Sequence, residues 1–97
     1  MPAILKNKTE KPPKDSDLSL DIYVRSRTTN FFQGAVHTLT SLNQTGEFDV
    51  LPMHANFITL VKDFVILDKG LPTEKKIDFK TAVLSVINGK VDVYVGV

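Results

Sequence analysis

The sequence predicts an all-β fold, a sandwich or barrel of short strands, on three observations. Apolar residues recur with a period of two, as at Leu18, Leu20, Ile22 and Val24, the pattern of a strand with one buried face. Asn88-Gly89 lies between VLSVI and KVDVYV, which marks a two-residue hairpin whose type I′ turn needs positive φ at both positions. Candidate strands follow one another about every 8–12 residues, with no convincing helix between them.

Ordered structure is expected from Leu18. Residues 1–17, MPAILKNKTEKPPKDSD, are rich in Lys, Pro and Asp and carry no periodic apolar pattern. They are read as a flexible, solvated tail ahead of a single domain at 18–97. The first strand is LSLDIYV, with Ser19, Asp21 and Tyr23 on its polar side. A polar link, SRTTN, leads to Phe31-Phe32-Gln33-Gly34 and then to the run 36–42, which places His37 inside a strand. Asn43-Gln44-Thr45-Gly46 has turn chemistry, because Asn and Gly tolerate positive φ, and residues 47–51 supply the hairpin partner. In ANFITLVKDFVILDKG the apolar positions also fit one helical face. Its Phe, Ile, Thr and Val content favours strand, and Lys62-Asp63 reads as a polar break between two short strands. Gly70-Leu71-Pro72-Thr73 is a loop, followed by strands at 75–79, 82–87 and 90–95.

With 97 residues the chain holds one hydrophobic core rather than two. Twelve Lys and Arg against eleven Asp and Glu leave a formal charge of +1, too little to gather nucleic acid or anionic lipid at long range. There is no cysteine, which fits a reducing compartment and leaves the core without disulfide support. MPAIL is too short for a secretory signal, and no stretch approaches the roughly 20 apolar residues of a membrane span. A soluble, intracellular chain is expected.

Side chains able to do chemistry are few. His37 and His54 are the two histidines, with no His-x-x-x-His pair and no Gly-x-Ser-x-Gly elbow. A metal site would have to join His54 to distant carboxylates such as Asp49, and nothing in the spacing requires it. The five glycines are scattered, so no loop is built to cradle phosphate. Tyr23, Phe31 and Phe32 could stack bases on a sheet, yet without a basic stripe they read as core. No catalytic residue, cofactor, metal or nucleic-acid partner is assigned. What remains is a binding or structural module.

The most distinctive stretch is GEFDVLPMHANFITL, residues 46–60. Phe48 and Val50 point one way and the carboxylates of Glu47 and Asp49 the other, and Pro52 ends the pairing by removing a ladder donor. This stretch resembles the Gly-Glu-Phe-Gly-Val-Leu-Pro-Gly-His-Ala segment of the epsilon subunit of F-type ATP synthases, called delta in mitochondria. Phe32-Gln33-Gly34-Ala35-Val36 is similar to that family's Phe-Glu-Gly-Glu-Val. Residues 83–93, VLSVINGKVDV, are similar to its closing hairpin.

The resemblance covers the family's N-terminal domain and implies a flattened β-sandwich of two mostly antiparallel, five-stranded sheets, about ten short strands in all. The helical hairpin that often follows in the family has no match within these residues. It implies a non-catalytic rotor subunit in the central stalk of a proton- or sodium-translocating ATP synthase, linking the gamma subunit to the c ring. Carried over position by position, Ser26, His54 and Thr59 face gamma and Glu47 faces the c ring. Such a subunit is expected to be peripheral, at the cytoplasmic face of the inner (plasma) membrane, to meet the membrane through the complex alone and to be soluble when isolated. A stable gamma contact buries on the order of 1,600 Å², so a gamma-facing sheet should expose apolar residues. Asp49, Met53, Phe64, Thr81 and Ala82 stand where the family has glycine, and Asn56 where it has proline, so turns or partner surface should differ there. The other reading is a diverged sandwich that binds a different protein outside the ATP synthase.

Overall fold

The computed structural model describes residues 19–96, and the tail expected at 1–17 lies outside the described residues. Seven strands follow in order: β1 (Leu20–Arg25), β2 (Asn30–Val36), β3 (Leu39–Asn43), β4 (Gly46–Val50), β5 (Phe57–Leu67), β6 (Lys75–Ile87) and β7 (Lys90–Val95). No helix occurs among the described residues, as the all-β expectation requires. Hydrogen bonds join all seven strands into one sheet, ordered β2-β1-β7-β6-β5-β3-β4. Only the β1–β7 pairing is parallel. One continuous seven-stranded sheet thus replaces the two separate sheets and about ten strands expected from the sequence.

The count falls because two pairs of runs fuse. Where Lys62-Asp63 was expected to break the chain, β5 continues and the ladder shifts register instead: Lys62 faces Thr81, Asp63 faces Phe79, and Lys80 has no opposite residue. Asp63 takes φ +74 there, a left-handed conformation that Asp tolerates better than most residues. An extra residue of this kind bends and twists its strands. β5 and β6 therefore form a bent spine serving two halves: β7, β1 and β2 follow from residues 82–87 of β6, while β3 and β4 follow from residues 62–67 of β5.

Both halves close over one core. Leu20, Ile22 and Val24 of β1, Leu39 of β3, Val65 and Leu67 of β5 and Leu84 and Val86 of β6 are buried in a single cluster. These are the alternate residues that the period of two singles out, and each contributes about 1.5–3 kcal/mol of apolar burial. The irregularity recurs on the other side of β5, between Ser41 and Leu42 of β3. There the buried Ser41 hydroxyl donates to the Phe64 carbonyl at 2.7 Å, meeting an acceptor where the regular ladder is interrupted.

The run 36–42 is not one strand. It breaks at His37-Thr38, so His37 lies in a bend and not within a strand. Asp68, at the end of β5, accounts for the break: its Oδ1 accepts the N–H groups of His37 at 2.5 Å and Thr38 at 3.3 Å. Its Oδ2 accepts the Thr73 hydroxyl at 2.7 Å, and its own N–H donates to the Thr38 carbonyl at 2.9 Å. Burial, the largest single influence, drives this carboxyl up. The Thr73 hydroxyl, the two backbone N–H groups and the His37 ring together outweigh it and hold the carboxyl below its ordinary range. The hairpin at Asn88-Gly89 forms as expected, with φ +50 and +80 and Ile87 paired to Lys90.

Candidate interaction surface

Beyond β4 the chain turns at once. In Leu51-Pro52-Met53-His54 the His54 N–H donates to the Leu51 carbonyl at 3.1 Å. Proline in second place and φ +66 at Met53 in third are the marks of a type II turn, whose third residue is usually glycine. Met53 therefore keeps a left-handed backbone at the position where the resembled segment has glycine. Asp49, Phe64, Thr81 and Ala82 take ordinary negative φ. At 76% exposure the Met53 side chain gains little packing to offset the strain. Met53→Gly is expected to raise stability by about 0.5–1 kcal/mol, the left-handed penalty less the entropy cost of glycine, read as a higher urea midpoint.

The four residues singled out in the sequence are spread over both halves of the sheet. His54 is exposed, with its ring 5.2 Å from that of Phe57 and tilted by 45°. Thr59, half-buried on β5, accepts a long hydrogen bond from Asn43 Nδ2 at 3.4 Å. Ser26 lies in the β1–β2 link, where its Oγ accepts the N–H groups of Thr28 and Thr29 at 3.3 and 3.0 Å. Glu47 accepts a hydrogen bond from Lys69 Nζ at 2.9 Å, which raises the Lys69 ammonium above its ordinary range. Its expected outward companion, Asp49, accepts the Thr40 hydroxyl at 2.6 Å. The fold thus places His54 in the turn ahead of β5 and Thr59 within β5, both toward the same end of that strand. Ser26 stands across β6, β7 and β1, and Glu47 belongs to the other half.

Sequence reasoning expected a sheet face with exposed apolar residues but did not name them, and one such face lies nearby. Ile58 and Leu60 alternate with half-buried Phe57 and Thr59 and buried Val61, so they point away from the core, and they are 69% and 65% exposed. Register sets Ile58 beside Ser85 and Leu60 beside Val83, with exposed Ile87 two residues further along β6. Across β7 the same face carries Asp92 and Tyr94, and across β1 Tyr23 and Arg25. Arg25 grips Asp92 through two bonds of 3.0 Å, and its guanidinium carbon lies 5.0 Å from the Tyr23 ring and 5.3 Å from that of Tyr94. An apolar centre flanked by tyrosine and arginine has the composition of a protein–protein contact. The available signal was that both faces of FITLV are apolar, unlike the one-sided alternation of β1.

No family model and no curated protein sequence matches this chain. Among solved structures, a chain of the Euglena gracilis mitochondrial ATP synthase, in a cryo-EM structure of its OSCP/F1/c-ring, is similar with a TM-score of 0.73 over 98% of this chain. The fold is shared with an ATP synthase chain. Sequence identity in that match is 12%. A chain from the central stalk and c ring of the Tetrahymena thermophila mitochondrial ATP synthase is similar with a TM-score of 0.63 over 78% of this chain, at 5% identity. This chain spans 59% and 62% of the lengths of those two chains. At such identities the likeness is one of fold.

Proposed function

We propose that the chain is a non-catalytic rotor subunit of the central stalk of an F-type ATP synthase, corresponding to the N-terminal domain of the epsilon subunit (delta in mitochondria) and linking the gamma subunit to the c ring. The observation that supports it is a coincidence of two independent features. The Leu51-Pro52-x-His54-Ala55 segment resembles that family, and it occurs in a fold similar to chains of two ATP synthase structures. In this reading the two halves of the bent sheet correspond to the two layers of the family's sandwich. Ser26, His54 and Thr59 meet gamma, Glu47 meets the c ring, and the subunit is peripheral to the membrane.

Purified chain should bind the gamma subunit of the same organism. His54→Glu and Thr59→Glu should each weaken that binding about tenfold, near 1.4 kcal/mol, while Lys8→Glu leaves it unchanged; equal losses from all three count against the assignment. Glu47→Lys should retain gamma and lose the c ring, read as failure to co-sediment with ring-containing vesicles.

A further inference from the structure

The two long strands are not equally covered. β6 accompanies β5 over its whole length, but β3 reaches only as far as the Leu42–Lys62 pair. Residues 57–61 of β5 have no strand on that side among the described residues. β3 ends at Asn43, and the chain turns through Gln44-Thr45 into β4. An open notch of about 420 Å³ is left, lined by Asn43, Gln44, Thr59, Leu60, Val61 and Lys62 among others.

We propose that this edge takes an extended polypeptide segment from a partner protein as an added antiparallel strand, in line with β3. A row of alternating, unpaired N–H and C=O groups on an extended strand is matched by another extended backbone and by little else. The other free edges carry features that discourage such pairing. The part of β6 beyond the reach of β7, residues 75–80, bears Lys75, Lys76, Asp78 and Lys80, and β4 bears Glu47 and Asp49. β2 is uncharged, yet it contains Gly34 and begins at a register shift. FITLV has no charge, no glycine and no proline.

The neighbouring side chains define the segment further. Exposed Ile58 and Leu60 offer apolar contact on the outer face, and exposed Lys62 makes no salt bridge among the described residues. A strand continuing the direction of β3 enters beside Lys62 and leaves beside Phe57. The segment is therefore an alternating, β-branched one with an acidic residue near its N-terminal end. The long Asn43–Thr59 bond of 3.4 Å is a weak one to displace. The inference rests on the edge itself and holds whichever assembly the chain joins.

The test uses the full chain and the peptide acetyl-Thr-Asp-Thr-Val-Thr-Val-Thr-amide, which sets Asp beside Lys62 and the two valines beside Leu60 and Ile58, followed by backbone amide shifts and hydrogen exchange. Binding at about 1 mM or tighter is expected, with shifts and slowed exchange confined to residues 57–61 and their neighbours. N-methylation of one alternate set of peptide amides should abolish binding and that of the other set should spare it, because only one set faces β5. Lys62→Glu should weaken this peptide about fivefold through lost charge pairing. Shifts centred on β2 or on the outer face, equal binding by both methylated peptides, or no binding overturns the proposal. So does finding residues 57–61 already protected in the free chain, which would mean that its own residues or a second copy fill the edge.

Discussion

Asp68→Ala should destabilise the protein by about 2–4 kcal/mol, the cost of losing a buried charged acceptor that ties three hydrogen bonds together. Asp68 is 4% exposed, and its carboxylate holds three donors: the N–H groups of His37 and Thr38 and the hydroxyl of Thr73. Alanine also sits poorly at φ +54, the backbone conformation of residue 68. An asparagine side chain would keep one acceptor oxygen and tolerates that φ, so Asp68→Asn should cost only about 1 kcal/mol.

The pH dependence separates charge from geometry. Because the folded carboxyl lies below its ordinary value, the stability it adds is fully present above the unfolded value of about 3.9 and is lost as pH falls through the lower folded value. Urea denaturation of wild type and Asp68→Asn should show a constant gap from pH 5 to 7, to within about 0.3 kcal/mol, that closes on stronger acidification. A gap that widens in acid contradicts this role for Asp68.

The second large effect belongs to the outer face. Ile58→Asp combined with Leu60→Asp should reduce affinity for the gamma subunit by about a hundredfold or more, since two desolvated charges at the centre of a contact each cost well over 1.4 kcal/mol. Both side chains are about two-thirds exposed in the free protein, so the same substitutions should change its own stability by less than about 0.5 kcal/mol each. Loss of binding with an unchanged urea midpoint identifies a docking surface. Unchanged binding places gamma elsewhere on the molecule.

Much of the fold was legible because it depends on local rules. The period of two marked Leu20, Ile22 and Val24 as buried, and Asn88-Gly89 announced its turn, since few residue pairs accept positive φ twice. What was not legible depends on contacts between distant residues. Lys62-Asp63 reads as a break in sequence, but it is a bulge because β6 runs unbroken alongside and absorbs the mismatch at Lys80. His37 reads as strand, yet Asp68, 31 residues away in sequence, takes its N–H out of the ladder. The candidate site shows the same division. The Leu-Pro-x-His-Ala segment could be read from residue order alone, whereas the pairing of Arg25 with Asp92 needs the parallel β1–β7 register, which local pattern does not specify.

Assignment to a rotor stalk is tested most directly by tagging the chain in its own host and purifying what it holds under mild detergent. A stalk subunit should bring down an intact ATP synthase, present in equal copy number with the gamma subunit and retained together with the c ring. Recovery of the chain free of every ATP synthase subunit, from cells in which that enzyme is assembled and active, would contradict the assignment.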